Sequence, residues 1–154
     1  MSSRTKWTHL SVQPLGNPGP KSEPRQYGNF VNPAGGFGPE ISFARKLKRR
    51  DQHLGRDSDL AVVKVAFSGT SVADDWDPTG EDKRGACYRA LLEEVRAAQS
   101  LAEAEGMTVN LRGLVWVQGE SDANANDAPK YAERLTAMFA TLRHDLKADR
   151  LPIL

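Results

Sequence analysis

Hydrophobic residues recur at helical spacing in three stretches of the chain. The first begins at Gly38-Pro39-Glu40, where Pro suits the first helical turn and Glu complements the positive end of a helix. The second runs from about Ala86 to Glu105, and the third begins near Pro129. The apolar positions are Ile41, Phe43, Ala44 and Leu47; Tyr88, Leu91, Leu92, Val95, Ala98, Leu101 and Ala102; and Tyr131, Leu135, Met138, Phe139, Leu142 and Leu146. This spacing predicts three amphipathic helices.

Short apolar runs separate and follow these helices. Residues 60–67 and 111–117 are nearly continuously apolar and rich in Val, and residues 151–154 begin in the same way. Such runs are typical of strands that are covered on both faces of a parallel sheet. Because helices and strands alternate, we expect an α/β fold, a three-layer αβα sandwich with right-handed crossovers. A ligand crevice would then lie beyond the carboxyl ends of the strands, at residues 68–77 and 118–123.

The first 37 residues differ from the rest because Gly and Pro are crowded there. Both residue types disfavour helix interiors and central strands. We interpret residues 1–37 as an irregular segment and residues 38–154 as the regular domain. The segment is either a disordered tail or a long loop over the domain, and its apolar residues favour the loop.

Charge and composition exclude several classes of function. The 154 residues carry a net charge of +1, which argues against a nucleic-acid partner. No apolar stretch is long enough to span a membrane, and no secretory signal is visible, so the location of the protein stays open. The single cysteine, Cys87, excludes an intrachain disulfide and a multi-cysteine metal site. The basic run at 45–50 is either a solvated helix face or a contact to a phosphate or polymer.

The two loops after the predicted strands carry the candidate chemistry. Gly69 follows the first strand, and its amide could donate to an oxyanion, or the residue could simply allow a turn. Gln118, Glu120 and Asp122 crowd the end of the second strand. Polar groups at that place are costly to desolvate, so they indicate either a functional site or a capped polar turn. We predict no metal and no cofactor, because Asp74, Asp75 and Asp77 lack the spacing of a calcium loop and no phosphate-binding glycine motif occurs.

No serine and histidine pair for nucleophilic catalysis stands out. Ser121 lies in a near match to the G-x-S-x-G elbow, in which a helix begins directly after the serine, but the five residues 124–128 still separate the end of this block from the helix at Pro129. Ser68 and Ser71 lack the flanking glycines of that motif, and the histidines His9, His53 and His144 occupy unsuitable positions for a base. We therefore predict no nucleophile in the chain.

Three sequence blocks resemble a known family. They are Gly38-Pro39-Glu40-Ile41-Ser42-Phe43-Ala44, Val65-Ala66-Phe67-Ser68-Gly69-Thr70-Ser71 and Trp116-Val117-Gln118-Gly119-Glu120-Ser121-Asp122-Ala123. The chain resembles, over about residues 36–154, the sialate O-acetylesterase domain in the carbohydrate-esterase branch of the SGNH hydrolases. The resemblance implies a flavodoxin-like fold, no cofactor, and hydrolysis of O-acetyl esters on sugars such as sialic acid or plant polysaccharide.

The resemblance also implies roles for individual residues. Gly69 and Gln118 would donate to the oxyanion, Glu120 would order the site beside Gln118, and the substrate loops would include Ser71, Asp75, Trp76 and Asp122. The family's Gly-Gln-Ser-Asn block with the nucleophile and its Asp-x-x-His block with the base are absent from these residues. We therefore expect a partial esterase domain whose sheet is incomplete at both ends, marginally folded and prone to associate. The alternative is a non-catalytic carbohydrate-binding or scaffold remnant; the oligomeric state is not predicted.

Overall fold

The computed structural model describes residues 7–10, 38–56, 59–67, 69–79 and 85–154. In these residues the elements are helix α1 (Pro39–His53), helix α2 (Ala86–Ala104), a 3-10 turn (Glu120–Asp122) and helix α3 (Ala128–Asp145). The chain divides into two compact units, Met1–Ser68 and Gly69–Leu154. The three helices predicted from the apolar spacing are confirmed, whereas the predicted irregular segment 1–37 lies outside the described residues except for 7–10.

The predicted α/β fold, a flavodoxin-like three-layer sandwich with a parallel sheet, is wrong. Across the described ranges the chain forms three helices and no strand or sheet. Residues 111–117 are extended, but their only parallel pairing in these ranges is an isolated bridge between Leu114 and Ile153. Val62 and Val63 are each 38% exposed, so residues 60–67 are not covered on both faces. Apolar β-branched residues tolerate an extended backbone, but a strand also requires a ladder of hydrogen bonds with a neighbour.

The first unit contains α1 and the extended residues that follow it. Pro39 occupies the first turn of α1, and Glu40 forms a 2.8 Å ion pair with Lys64. Burial by itself would raise the pKa of Glu40, but the hydrogen bond and charge of Lys64, together with backbone hydrogen bonds, lower it. The buried Asp51 lies at the other end of α1, and its carbonyl accepts the amide of Arg56 at 2.9 Å. Both ends of α1 are thus tied to the chain that follows the helix.

Helices α2 and α3 both contribute side chains to the core of the second unit. The fully buried side chains of this core include Tyr88 of α2 and Met138 and Leu142 of α3. The Tyr88 hydroxyl donates to Asp145 Oδ2 at 2.9 Å, so the start of α2 is joined to the end of α3. No helix in the described part of the chain is long and apolar enough to cross a membrane.

The loop 69–79 is attached to the beginning of α2. The carbonyl of Asp75 accepts the amides of Cys87 at 3.0 Å and Tyr88 at 3.3 Å. These amides belong to the first turn of α2, which has no partners within the helix for them. Gly85 packs directly against the backbone of Asp75 and donates its amide to Asp77 at 2.7 Å. The loop therefore acts as the N-terminal cap of α2.

Three aromatic rings join the loop to the rest of the second unit. Trp76 and Trp116 are in edge-to-face contact with ring centroids 4.9 Å apart, and Trp116 contacts Phe139 of α3 in the same manner at 5.7 Å. The Trp76 indole also donates to Thr70 Oγ1 at 2.9 Å. The loop 69–79, the extended residues 111–117 and α3 therefore share one aromatic contact chain.

Candidate functional site

A buried carboxylate lies where the two candidate loops meet. Asp122, in the 3-10 turn, is only 1% exposed. Its Oδ1 and Oδ2 accept the backbone amide of Val72 at 3.1 and 3.0 Å. Because Val72 belongs to the first loop and Asp122 to the second, this carboxylate joins them directly.

Gln118 lies beside Asp122 and contacts the same two loops. Its Nε2 donates to the carbonyl of Thr70 at 2.7 Å and to Asp122 Oδ2 at 2.8 Å. Both hydrogens of the side-chain amide are therefore engaged with protein acceptors. Gln118 can donate to a substrate oxygen only if one of these two bonds is exchanged.

Tyr131 fixes the remaining part of Gln118 from the first turns of α3. Its hydroxyl donates to the Gln118 carbonyl at 2.7 Å, and the hydroxyl oxygen is 3.3 Å from Gln118 Oε1. The backbone and the side chain of Gln118 are consequently both held in place.

Gly69 has a left-handed backbone conformation next to Thr70, the residue that accepts the Gln118 amide. Its φ is +67°, in the left-handed region that favours glycine, and the residue is exposed. Apart from its chain neighbours, no described residue has an atom within 4 Å of the position that a Cβ would take. A small ligand group could approach the backbone here.

Glu120 and Ser121 are exposed at the same turn. Glu120 Oε2 accepts the amide of Gly119 at 3.1 Å. The Glu120 carboxylate is thus at the surface, next to the buried Asp122, and can be reached by solvent or by a ligand.

Ser71, Asp75 and Trp76 of the predicted substrate loop are joined by hydrogen bonds within that loop. Asp75 Oδ2 accepts the amide of Ser71 at 3.0 Å, and the Ser71 carbonyl accepts the amide of Trp76 at 3.2 Å. Trp76 is 5% exposed and Ser71 and Asp75 are half-buried. These three side chains shape the loop, and their contact with a substrate stays a prediction.

The chain matches the sequence profile of a family described as carbohydrate esterase, sialic acid-specific acetylesterase, over residues 7–154. The chain belongs to this carbohydrate esterase family. The match confirms the resemblance drawn from the three sequence blocks.

One relative of this chain is a protein of Arabidopsis thaliana named "probable carbohydrate esterase". It is 30% identical over 121 residues, which cover 77% of this chain and 41% of the relative. The chain therefore spans about two fifths of the length of that relative. No solved structure matches the chain significantly.

His9, His53 and His144 are all exposed residues. His144 is 88% exposed and lies 3.4 Å from Asp145, and His9 and His53 are exposed residues of the other unit. Ser68 lies outside the described residues. Within the described ranges, no group of acidic, His or Cys residues could hold a metal ion.

Three members of the candidate site are not predicted by the sequence. Thr70 and Val72 take part through backbone atoms, which no side-chain motif records. Tyr131 was assigned to the apolar face of its helix, although its hydroxyl contacts Gln118. Its position just after a polar loop is the only sequence signal that could have indicated this role.

Proposed function

We propose that this chain takes part in the hydrolysis of O-acetyl esters on carbohydrates. Its contribution is the part of the site that stabilises the negative charge on the acetyl oxygen. The observation that carries the proposal is the position of Gln118, whose amide is 2.7 Å from the carbonyl of Thr70, the residue after Gly69. Family membership supports the esterase class, and this geometry supports the role of the two loops.

The chemistry would follow the serine-hydrolase route. A serine hydroxyl attacks the acetyl carbonyl, the proton moves through a base to the leaving sugar hydroxyl, and water then releases acetate from the acetyl-serine. The carbonyl oxygen becomes negative at each attack, and the amides of Gly69 and Gln118 would donate to it. The serine and the base would come from Gly-Gln-Ser-Asn and Asp-x-x-His blocks, which these 154 residues do not contain.

The first test uses the chain as it stands. Purified protein is given an aryl acetate and an acetylated sugar, with and without a serine-directed phosphonate. We expect no turnover that the phosphonate abolishes, because the chain lacks the nucleophile and base blocks. Phosphonate-sensitive turnover would contradict this, and the labelled serine would identify a nucleophile elsewhere in the chain.

The second test uses the reading frame that flanks this sequence. We expect it to encode both missing blocks, and its full product to release acetate from an acetylated sugar. Gln118→Ala in that product should lower turnover about 10²–10³-fold, the usual effect of losing one oxyanion donor. A product without acetate release, or with the parental rate in Gln118→Ala, would contradict the proposal.

A second candidate is a non-catalytic carbohydrate-binding protein. It is favoured by the engagement of both Gln118 amide hydrogens with Thr70 and Asp122. This candidate predicts saturable binding of acetylated and deacetylated sugar alike, with no acetate release from the full product of the reading frame. The two candidates are separated by titrating the protein with each sugar while binding is monitored by light scattering or NMR.

A further inference from the structure

Asp122 differs from the other acidic residues of the candidate site because it is buried. It is 1% exposed, whereas Glu120, two residues earlier, is exposed. Removing a carboxylate from water is costly unless hydrogen bonds replace the lost solvation. Its two oxygens accept from the Val72 amide and from Gln118 Nε2 at 2.8–3.1 Å. We propose that Asp122 is a positioning residue, which sets the orientation of Gln118 and the register of the two loops, and does not itself contact substrate.

The acceptors around Gln118 permit only one orientation of its amide. Thr70 O and Asp122 Oδ2 both accept, so the group that faces them must be the NH₂. A rotated amide would place Oε1 against two oxygens, with no hydrogen between them. In the observed orientation Oε1 instead lies 3.3 Å from the Tyr131 hydroxyl. The carboxylate of Asp122 therefore selects which end of the amide points into the cluster.

The two bonds of the Gln118 amide differ in strength. The bond to Asp122 is made to an ionised group, and such bonds are roughly twice as strong as neutral ones. The bond to the Thr70 carbonyl is neutral. The hydrogen that Thr70 accepts is consequently the one that can be exchanged for an acetyl oxygen, while Asp122 retains the other. This step rests on the proposed esterase function, whereas the orientation of Gln118 does not.

Asp122 also sets the position of the first loop. Val72 is 2% exposed and bound through its amide, and Gly69 lies three residues before it. The same carboxylate thereby ties the backbone near Gly69 to the side chain of Gln118. Loss of the carboxylate should disturb both proposed donors together.

The test follows hydrogen exchange of glutamine side-chain amides by NMR in the 154-residue chain. The internal reference is Gln52, an exposed glutamine of α1 in the other unit. We expect the Gln118 amide hydrogens to exchange at least about tenfold more slowly than those of Gln52, since one bond is charge-assisted. Equal exchange rates in the unaltered protein would overturn the proposal without any variant.

Variants then assign the protection to Asp122. In Asp122→Asn the Gln118 amide hydrogens should exchange at least about tenfold faster than in the unaltered protein, so that their rate approaches that of Gln52. The matched control, Asp149→Asn, removes an exposed carboxylate from the turn after α3 and should leave Gln118 unchanged. Unaltered Gln118 protection in Asp122→Asn would overturn the proposal. If Asp122→Asn does not fold, Asp122→Glu keeps the charge and should retain the slow exchange of Gln118, and loss of protection in a folded Asp122→Glu would count equally against it.

A kinetic measurement separates this proposal from the proposed function. In the full product of the reading frame, Asp122→Asn should lower kcat with little change in KM, because the donor is misplaced in the transition state. If that product has no esterase activity but Gln118 is protected in an Asp122-dependent manner, the function fails and the positioning role stands. If that product is an active esterase but the Gln118 amide exchanges as fast as that of Gln52, the function stands and the positioning role fails.

Discussion

Two glycines of the second unit are required for different physical reasons. Gly69 has a φ of +67°, and apart from its chain neighbours no described residue lies within 4 Å of its Cβ position, so its cost of substitution is conformational. Gly85 has an ordinary backbone but lies against the carbonyls of Asp74 and Asp75, so its cost is steric. The first glycine shapes the candidate site, and the second attaches the loop of that site to α2.

Alanine substitutions should separate these two costs. Gly69→Ala should lower the free energy of unfolding by about 1 kcal/mol, the usual cost of a left-handed non-glycine residue. Gly85→Ala should cost more, about 1–3 kcal/mol or above, because its methyl group overlaps backbone atoms that cannot rotate away. Denaturant unfolding of both variants measures the difference. A smaller loss for Gly85→Ala than for Gly69→Ala would contradict the close contact with Asp75.

Helix α3 begins with a partly exposed cluster of polar side chains. Asp127 accepts from Arg134 Nη1 at 2.8 Å and from Asn124 Nδ2 at 3.0 Å. The hydrogen bond from Arg134, followed by that from Asn124, lowers the pKa of Asp127. The same bond raises the pKa of Arg134. The cluster fixes the loop after the 3-10 turn to the second turn of α3.

This shift predicts a pH-dependent contribution of Asp127 to stability. The pKa in the folded state is below the usual value of about 3.9, so the contribution is complete above that value. It is lost as the pH falls through the lower folded-state pKa. Asp127→Asn should therefore unfold at a lower temperature than the unaltered protein at pH 7, and the two should converge in strong acid. Thermal unfolding followed by circular dichroism between neutral pH and strong acid gives this comparison.

Asp149→Asn is the control for that series, since it removes the charge of an exposed aspartate. It should show a smaller difference from the unaltered protein at neutral pH. A difference between Asp127→Asn and the unaltered protein that stays constant down to strong acid would show that the Asp127 charge does not stabilise the cluster.

Helices were predictable in this chain because their evidence is local. The spacing of Leu91, Leu92 and Val95 in α2 already defines the face that is buried. The predicted strands do not form in the described residues, because an apolar run does not record whether a neighbour supplies the ladder of hydrogen bonds that a strand needs. Only Leu114 and Trp116 pair with 152–154 in the described residues, through amides of Leu114, Trp116 and Leu154.

The candidate site was predictable in its side chains but not in its contacts. Polar residues directly after an apolar run pointed to Gln118 and Asp122. Their partners Thr70 and Val72 are 46 or more positions away in the chain and act through the backbone, which has no sequence signature. The burial of Asp122 follows only from the meeting of the two loops.

The second unit exposes apolar residues along one edge of its extended segment. Val115 is 49% exposed and Val117 is 79% exposed. Backbone groups of alternate residues in an extended chain face opposite edges, so those of Val115 and Val117 face away from 152–154. An extended edge that has no backbone partner among the described residues, next to exposed apolar side chains, favours pairing with another chain.

We accordingly expect the purified chain to associate as its concentration rises. Val117→Lys should reduce the association, because a lysine on an open edge disfavours pairing. Thr136→Lys adds the same charge on the exposed face of α3 and should have little effect. Sedimentation velocity over a range of concentrations measures the association of the unaltered chain and of both variants. A monomeric, monodisperse chain at all concentrations would contradict the prediction.

The edge-to-face contact of Trp76 and Trp116, with centroids 4.9 Å apart, has an optical consequence. At this separation the indole transitions couple, so the pair should give an excitonic couplet in the circular dichroism spectrum. The signal requires the loop 69–79 and the extended residues 111–117 to be docked together, and it does not depend on helix content. The chain has three tryptophans, and only Trp7 lies in the other unit. The couplet therefore serves as a built-in spectroscopic reporter of the assembled site.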